Sequence, residues 1–223
     1  MEKYDRFGEV GFNAGIFLKG SWKKQNDIYS KLQSEIVPAG KKTIVPKQTH
    51  GSNIVILGDS FGNDGIAADG VLCGNGDYCL TIKTADCIPV MLAERETGFF
   101  GAIHVGWRGL AGGIIENLYL SIKNLDMNFN RLYISLGPSI GSCCFELGGE
   151  VAVLFDDGFV TADNDRYFLD ARGLIKEKLL SSGASKNKIL DMAECTSCNA
   201  KKYYSFRRDG HAQIQMVSYI YKS

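Results

Sequence analysis

The spacing of apolar and polar residues predicts a chain of short strands with a few helices between them. Residues 26–36 carry apolar positions at helical spacing, with Asn26 as the expected N-cap. Short runs that are rich in β-branched or aromatic residues and bounded by Gly, Asp or Pro predict strands. These runs are residues 54–57, 79–82, 88–92 and 99–105. The middle of the chain is therefore expected to be rich in sheet.

Farther along the chain, the pattern adds helices to the predicted sheet. Residues 110–125 place apolar side chains at i, i+3 or i+4 and i+7, so the preceding strand should enter a helix through a turn at residues 106–109. The other expected helices are residues 150–155 and 171–180, and the other expected strands are residues 132–136, 189–192 and 213–221. Alternation within that last strand predicts a half-buried terminal strand. Because β-β steps mix with β-α-β steps, the predicted fold class is α/β or α+β with a mixed sheet, not an ordered Rossmann alternation.

Length, composition and charge narrow the class of protein. The 223 residues, 45% of them hydrophobic, suffice for one sizeable core and fall short of two average domains, so we expect one domain over residues 1–223. The 25 basic and 25 acidic residues leave no net charge, which argues against nucleic-acid and membrane-surface partners. No apolar run approaches the ~20 residues of a membrane span, and the first residues have no apolar signal core. A cytoplasmic protein is therefore expected.

The seven cysteines are expected to be reduced thiols, since their number is odd and a chain of this length does not need disulfides. Cys195 and Cys198 form a C-x-x-C pair, but no second pair at matching spacing accompanies it, so we expect neither a metal site nor an essential disulfide there. Cys143 and Cys144 are adjacent and follow a loop sequence. The arginines of R-R-D-G at residues 207–210 are expected to pair with carboxylates or with a bound anion.

Three residues at strand ends form the main candidate site. His50 lies in a polar segment before a strand, His104 lies at the end of another strand, and Cys87 lies in T-A-D-C between two apolar runs. Taken singly, each is more often structural, because lone histidines are commonly hydrogen-bonded and lone cysteines are commonly buried. Together they leave two chemistries open. One is an N/S/N site for catalytic Zn²⁺ with an open position, and the other is a cysteine nucleophile with a histidine base.

Polar residues near these three extend the candidate site. Arg108 could fork onto a phosphate or carboxylate, beside the free N–H groups of a glycine-rich helix start at residues 106–113. Asp69 and Asp86 could orient a ligating imidazole. The alternatives are a tight turn that merely needs glycines and aspartates that merely cap turns. Arg108, Asp69 and Asp86 make up the expected substrate-binding part of the site.

Six motifs occur in the order seen in the YfiH family, which is also called the laccase-domain or multicopper polyphenol oxidase family. The resemblance covers roughly residues 47–210, and the combination of T-A-D-C with H-x-G-W-R-G is specific. Two regions depart from the family pattern: residues 11–20 lack T-R-x-G-G, and residues 211–214 replace x-T-G-R, so substrate contacts from these regions are not carried over. The motifs are Q-T-H-G at 48–51, A-D-G at 68–70, T-A-D-C-I-P-V at 84–90, A-I-H-V-G-W-R-G at 102–109, L-G-P-S-I-G at 136–141 with C-F-E at 144–146, and S-F-R-R-D-G at 205–210.

The resemblance implies a compact layered α/β/α-type domain that is shared with bacterial toxin cysteine hydrolases. It implies that His50, Cys87 and His104 are the metal-binding and catalytic trio, with Zn²⁺ or Cu²⁺ as the cofactor. The activities implied are phosphorolysis of adenosine, inosine and methylthioadenosine, together with adenosine deamination. The implied partners are accordingly a small-molecule nucleoside and phosphate.

Three functional hypotheses follow. The leading one is a zinc-dependent purine nucleoside phosphorylase with adenosine deaminase activity. The alternative is a cytoplasmic amidase that edits serine-containing peptidoglycan precursors through Cys87 or zinc-activated water. A third is a zinc-stabilised partner-binding domain, which an open coordination position disfavours. A true multicopper oxidase is rejected, because its several coppers need more than three histidines.

Overall fold

Two β-sheets that pack face to face form the centre of the protein. The computed structural model describes residues 1–20, 22–58, 65–210 and 214–223. In these residues the strands are β1 (Glu2–Lys3), β2 (Phe12–Phe17), β3 (Lys42–Ile44), β4 (Ile54–Leu57), β5 (Gly70–Cys73), β6 (Tyr78–Thr84), β7 (Ile88–Ala93), β8 (Phe100–Val105), β9 (Tyr133–Leu136), β10 (Glu146–Leu147), β11 (Val160–Asp163), β12 (Arg166–Leu169), β13 (Ile189–Asp191) and β14 (Met216–Lys222). The α-helices are α1 (Gln25–Lys31), α2 (Trp107–Ala111), α3 (Ile114–Asn124), α4 (Gly149–Ala152), α5 (Ala171–Ser181) and α6 (Phe206–Asp209).

The first sheet has the strand order β1-β2-β14-β6-β3, and the second has the order β13-β9-β7-β8-β5-β4. Both sheets mix orientations: β3 runs parallel to β6 and β4 runs parallel to β5, whereas β7 and β8 are antiparallel. A small third sheet of β10, β12 and β11 lies beside them. The predicted mixed α/β class is confirmed, and no helix among the described residues is long and apolar enough to cross a bilayer.

The apolar side chains divide into three clusters that define four layers. Alternate residues of β7 and β8 face opposite sides, so Met91 and Ala102 pack between the sheets while Val90 and Ile103 face α2, α3 and α5. The outer face of the first sheet packs against Ile28 of α1. The layer order is therefore helix, sheet, sheet, helices.

Three details differ from the expected elements. The helix at residues 110–125 is broken at Gly112 and Gly113, where Gly113 has φ 82° and separates α2 from α3. The strand at residues 213–221 is central, not half-buried, because β14 lies between β2 and β6 and is buried on both faces. Residues 211–213 lie outside the described residues, so the expected start of this strand and the departure after R-R-D-G are not described.

The first helix also begins earlier than expected. Asn26 is not its N-cap, because α1 starts at Gln25 behind Lys24. The carboxylate of Asp27 accepts the backbone N–H of Lys24 at 3.0 Å, which satisfies a donor at the helix start. The helix continues through a π-helical turn at Leu32–Ile36, so the predicted extent of helical structure is correct at its far end.

Candidate metal centre and its cavity

The candidate residues meet at one edge of the second sheet. β8 pairs with β5 on one side and with β7 on the other, both antiparallel, so the end of β8 lies beside the starts of β5 and β7. His104 lies at that end of β8, Cys87 directly precedes β7, and Asp69 directly precedes β5. His50 lies in the loop before β4, which pairs with β5. The topology therefore brings together residues that are far apart in sequence.

His50, Cys87 and His104 form one cluster. Their nitrogen and sulfur ligand atoms all lie within 4.8 Å of one another, and the two imidazole rings meet edge to face with centroids 4.7 Å apart. His104 is buried, Cys87 is half-buried and His50 is exposed, so the centre opens to solvent on the His50 side. Two imidazoles and a thiolate, with no fourth protein donor in the group among the described residues, fit a zinc site that has an open position.

Gly106 forms the floor of this cluster. A Cβ at this position would lie 3.2 Å from Cys87 Sγ, 3.6 Å from His50 Cδ2 and 3.8 Å from His104 Cε1. The distance to Cys87 Sγ is shorter than an ordinary Cβ contact, so the close approach of the backbone to this sulfur favours glycine. The G-W-R-G segment therefore has a packing function at the centre in addition to the helix start that follows it.

Asp69 holds two of the three candidate ligands in position through hydrogen bonds. Its carboxylate is fully buried and accepts a hydrogen bond from His104 Nδ1 at 2.8 Å and from the backbone N–H groups of His50 at 2.9 Å and Gly51 at 2.8 Å. His50 itself has φ 59°, a conformation that is uncommon outside glycine and that this carboxylate helps to hold. The expected orienting function of Asp69 fits this geometry.

Charges and hydrogen bonds shift the titration of these groups in opposite directions. Burial raises the pKa of Cys87, but hydrogen bonds with His104 and His50 outweigh it and lower the pKa to about 7. Burial lowers the pKa of His104, but Asp69 and Cys87 outweigh it and raise the pKa to about 9. The pKa of Asp69 lies well below its usual range, because hydrogen bonds from His104, Thr49 and Gly51 outweigh burial. Without a metal, the centre therefore favours a thiolate, the form of cysteine that binds metal or attacks carbon.

Asp86 is placed differently from Asp69. Its carboxylate accepts hydrogen bonds from Thr196 Oγ1 at 2.6 Å, Ser205 Oγ at 3.0 Å and the backbone N–H of Arg207 at 2.7 Å. Asp86 thus bonds to the segment that follows β13 and not to the imidazole of His50 or His104, so the expectation that it orients a ligand is not met. Its φ of 86° places the turn between β6 and β7 so that Cys87 reaches the centre.

Arg108 extends beside the centre on the first turn of α2. Its guanidinium stacks on the ring of Trp107, 4.1 Å from the ring centroid. The side chain is exposed, and it makes no hydrogen bond or ion pair with the residues that the structure describes. The glycines around it have other contacts, since a Cβ on Gly109 would lie 2.5 Å from the carbonyl oxygen of Gly51. Arg108 is therefore available to bind an anion. Gly109, in contrast, is explained by the close packing of its backbone against Gly51.

A cavity of about 790 Å³ opens over the centre. This volume lies within the range of small-molecule sites. Its wall combines the three candidate ligands with aromatic and basic side chains, of which Phe145 and Phe206 were not predicted as site residues. The lining residues are Thr49, His50, Ala85, Asp86, Cys87, Ile88, His104, Val105, Gly106, Trp107, Arg108, Leu110, Ile140, Phe145, Ala171, Phe206, Arg207 and Gln215.

The arginine side chains of the R-R-D-G turn bond mainly to backbone carbonyl groups beside the cavity. Arg207 donates to the carbonyl oxygens of Cys144 and Glu146, each at 2.7 Å, instead of pairing with a carboxylate. Arg208 does pair with the adjacent Asp209, at 2.8 Å. The expectation that these arginines pair with carboxylates or with a bound anion is therefore confirmed for Arg208, whereas for Arg207 the pairing with an anion stays a prediction. The aromatic neighbour Phe206 was recognisable in the sequence only as part of the S-F-R-R-D-G motif.

Comparison with known proteins identifies the family to which this fold belongs. A family model described as "Multi-copper polyphenol oxidoreductase laccase" matches residues 11–223. A purine nucleoside phosphorylase from Bacteroides thetaiotaomicron is 27% identical over 197 residues, which are 81% of this chain and 73% of that protein. Adenosine deaminase RL5, from an unknown prokaryotic organism, is 24% identical over 195 residues, which are 80% of this chain and 74% of that protein.

The structural comparison leads to the same class. The crystal structure of the Bacillus licheniformis hypothetical protein YfiH superposes with a TM-score of 0.87 at 22% identity, covering 98% of this chain and 95% of that chain. The fold is thus that of a laccase-type domain with a histidine and cysteine cluster at the sheet edge. The chain belongs to the YfiH family, as its motifs indicated. Relatives in this family carry the names of nucleoside-processing enzymes.

Proposed function

We propose that this protein is a zinc-dependent purine nucleoside phosphorylase that acts on adenosine, inosine and methylthioadenosine and also deaminates adenosine. The observation that carries the proposal is the convergence of His50, Cys87 and His104 at the floor of a cavity that Arg108 also lines. The names of two relatives, a purine nucleoside phosphorylase and an adenosine deaminase, support the same pair of reactions.

Arg108 is the proposed phosphate-binding residue. Its guanidinium is exposed at the cavity and has planar donors that match phosphate oxygens. Stacking on Trp107 holds the group in place, so less side-chain entropy is lost when an anion binds. In phosphorolysis, a phosphate oxygen forms a bond to C1′ of the ribose while the C1′–N9 bond breaks, which gives the free base and ribose 1-phosphate.

The aromatic wall is the proposed binding surface for the purine. Phe145 and Phe206 line the cavity, and Phe206 is 59% exposed although it is large and apolar. An apolar ring that is open to solvent at a cavity mouth gains stability when a planar base covers it. These side chains would then hold the nucleoside, while Asp69 keeps His104 in one orientation beneath it.

His50, Cys87 and His104 would hold the zinc ion, which when bound supplies Lewis acidity at its open position. In deamination, water adds to C6 of adenosine and ammonia leaves, which gives inosine. Both reactions need the nucleoside in the same cavity, but only phosphorolysis needs an anion. Arg108 should therefore contribute more to phosphorolysis than to deamination.

The experiment that tests the proposal is an incubation of zinc-loaded protein with adenosine, with and without phosphate. Phosphate-dependent release of adenine with ribose 1-phosphate, and phosphate-independent release of inosine, are expected. The Cys87→Ala variant should lose both activities. If the wild-type protein converts adenosine under neither condition while it contains zinc at this centre, the proposed function is wrong.

A second candidate function rests on the pairing of Cys87 with His104 and Asp69. A thiol whose pKa is about 7, next to an imidazole that a buried carboxylate orients, has the arrangement of a cysteine hydrolase. The corresponding activity is an amidase that removes serine from a serine-containing peptidoglycan precursor. Incubation with a serine-containing muropeptide separates the two candidates, because only the amidase releases free serine.

A further inference from the structure

Four cysteines outside the candidate metal centre lie together at the surface. The sulfur of Cys144 lies 3.8 Å from that of Cys143 and 3.4 Å from that of Cys198, and the sulfurs of Cys143 and Cys198 are 3.7 Å apart. All four sulfur atoms, including that of Cys195, lie within 4.8 Å of one another. The adjacent pair does not have the C-x-x-C spacing, but it lies beside Cys195 and Cys198, so the lack of a second C-x-x-C motif does not exclude a metal site here.

The spacing of these sulfurs matches a tetrahedral metal site. Four thiolates that bind zinc with Zn–S bonds of about 2.3 Å are separated by about 3.8 Å along each edge of the tetrahedron. A disulfide bond would require about 2.05 Å between two sulfurs. The three sulfur–sulfur separations given above, 3.4 to 3.8 Å, are close to the first value and far from the second.

The backbone on both sides is shaped to present the sulfurs. Residues 141–145 form a tight turn in which the N–H groups of Cys144 and Phe145 both donate to the carbonyl oxygen of Gly141 at 2.9 Å. The N–H of Gly141 in turn donates to Cys195 Sγ at 3.3 Å. A Cβ on Gly141 would lie 3.3 Å from both Cys143 Sγ and Cys195 Cβ, so the close approach of the two segments favours glycine here. N–H donors that point at sulfur stabilise the thiolate form.

The surroundings also provide positive charge. Four thiolates around one Zn²⁺ leave a net charge of about −2. The guanidinium of Arg207 lies at the carbonyl oxygen of Cys144, 2.7 Å away, and that of Arg208 lies at the carbonyl oxygen of Thr196, 2.9 Å away. Because each of these carbonyl groups is part of or adjacent to a cysteine of the cluster, both cations are close enough to offset that negative charge.

We propose that Cys143, Cys144, Cys195 and Cys198 bind one structural Zn²⁺. All four protein ligands are present, so this site is closed, in contrast to the three-ligand centre in the cavity. Soft thiolates select zinc over harder divalent cations such as Mg²⁺ or Ca²⁺. Nothing in the proposal depends on the activity assigned to the cavity.

The position of the site indicates what the metal stabilises. Cys144 directly precedes Phe145, and Cys195 directly precedes Thr196, which donates to Asp86 in the turn that carries Cys87. The metal would thus join the two loops that form one wall of the cavity. These loops contain few helical or strand residues. A metal bound between them would therefore fix their conformation, as a larger apolar core does elsewhere in the protein.

The test is a count of zinc per chain by mass spectrometry after purification in the presence of zinc and a reducing agent. The Cys144→Ser, Cys198→Ser double variant should bind one zinc fewer than the wild-type protein. The Cys79→Ala variant is the matched control, because Cys79 is a buried cysteine in neither cluster, and it should keep the wild-type zinc count.

X-ray absorption at the zinc edge gives a second measurement that does not depend on the folding of the double variant. In the Cys87→Ser, His50→Ala variant, the remaining zinc should have four sulfur neighbours at about 2.3 Å and no nitrogen neighbours. A double cysteine variant that keeps every zinc overturns the proposal, as does a coordination shell with fewer than four sulfurs or the absence of zinc in the cavity variant. Failure of the nucleoside assays changes none of these outcomes.

Discussion

Asp69 holds His104 and the His50 loop with a single carboxylate. Its Oδ1 atom accepts the His104 Nδ1 hydrogen at 2.8 Å, and it also accepts the backbone N–H of His50 at 2.9 Å. Its Oδ2 atom accepts from Thr49 Oγ1 at 2.7 Å and from the backbone of Gly51 at 2.8 Å. Because Asp69 holds Nδ1 of His104, Nε2 is the ring nitrogen that remains to bind a metal. Two of the three candidate ligands thus depend on one buried carboxylate.

The Asp69→Asn variant should therefore bind zinc at the cavity centre about 10 to 100-fold more weakly, the usual effect of losing an outer carboxylate. An amide cannot accept all of these hydrogen bonds and carries no charge to favour the His104 proton. Competition with a chromophoric chelator measures the change. Asp126→Asn, the same substitution at an exposed aspartate that does not line the cavity, is the control, and equal affinities in the two variants would contradict the assigned function of Asp69.

Gly106→Ala should disturb the centre without changing any ligand. The added methyl group would lie 3.2 Å from Cys87 Sγ, closer than most real contacts of this kind, so the sulfur or the strand end has to shift. We expect zinc affinity at the cavity centre to fall by about tenfold, or roughly 1.4 kcal/mol. Gly74→Ala is the matched control, since a Cβ there would meet only Phe99 at 3.8 Å. Unchanged zinc affinity in Gly106→Ala would show that the space between Gly106 and the three candidate ligands accommodates a methyl group.

The sequence was sufficient to predict the three candidate ligands, because each lies at a junction between an apolar strand and a polar turn. His104 and Cys87 belong to neighbouring antiparallel strands, so their convergence follows once the pairing of β7 with β8 is known. The sequence analysis did not predict this pairing, and the family resemblance implied only that the three residues form one trio. The central position of β14 was not predictable from its alternation, because burial on both faces depends on the partners β2 and β6.

Contacts between distant loops were the main features that sequence analysis missed. Cys143 and Cys195 are 52 positions apart in sequence, and both lie in segments outside the named helices and strands, so apolar spacing gives no information about the distance between them. The break between α2 and α3 at Gly113 was not predictable either, because the apolar spacing continues through it although the backbone there has φ 82°. Periodicity reports which face of an element is buried. It does not report where two loops meet or where a glycine interrupts a helix.

Arg108→Ala should leave the zinc content unchanged, because a guanidinium is not a metal ligand. It should raise the apparent KM for phosphate in adenosine phosphorolysis by about tenfold or more, since one charged hydrogen bond contributes roughly 1.5 to 3 kcal/mol. Deamination uses water and should be affected less. Steady-state kinetics of both reactions provide the comparison, and an equal loss in both would make Arg108 a structural residue of the turn.

Asp191 should make the protein sensitive to acid. Burial raises its pKa, but Lys176 and Arg172 outweigh it, so the pKa of this carboxyl lies below its ordinary value. A carboxyl whose pKa is lower in the folded state stabilises the fold at pH values above its pKa in the unfolded state, about 3.9. This stabilisation is lost as the pH falls through the pKa of the folded state. Asp191→Asn should cost about 1 to 3 kcal/mol at pH 7, and this difference should shrink below about pH 4. Urea unfolding of both proteins at pH 7 and pH 3.5 measures it, and a difference independent of pH would contradict this explanation.

Two substitutions at Asp86 should have graded effects, because its carboxylate and its backbone conformation contribute separately. Asparagine tolerates φ 86° and keeps one acceptor oxygen, and the hydroxyl of Thr196 can rotate to accept from the new amide. Asp86→Asn should therefore lower the free energy of unfolding by only about 1 kcal/mol. Alanine leaves the buried hydroxyl of Ser205 and the part-buried backbone N–H of Arg207 without a partner and strains the turn, so Asp86→Ala should cost about 3 kcal/mol or more. Denaturant unfolding of the two variants distinguishes these contributions, and equal losses would mean that the charge of Asp86, and not its hydrogen bonds or its turn, stabilises this wall of the cavity.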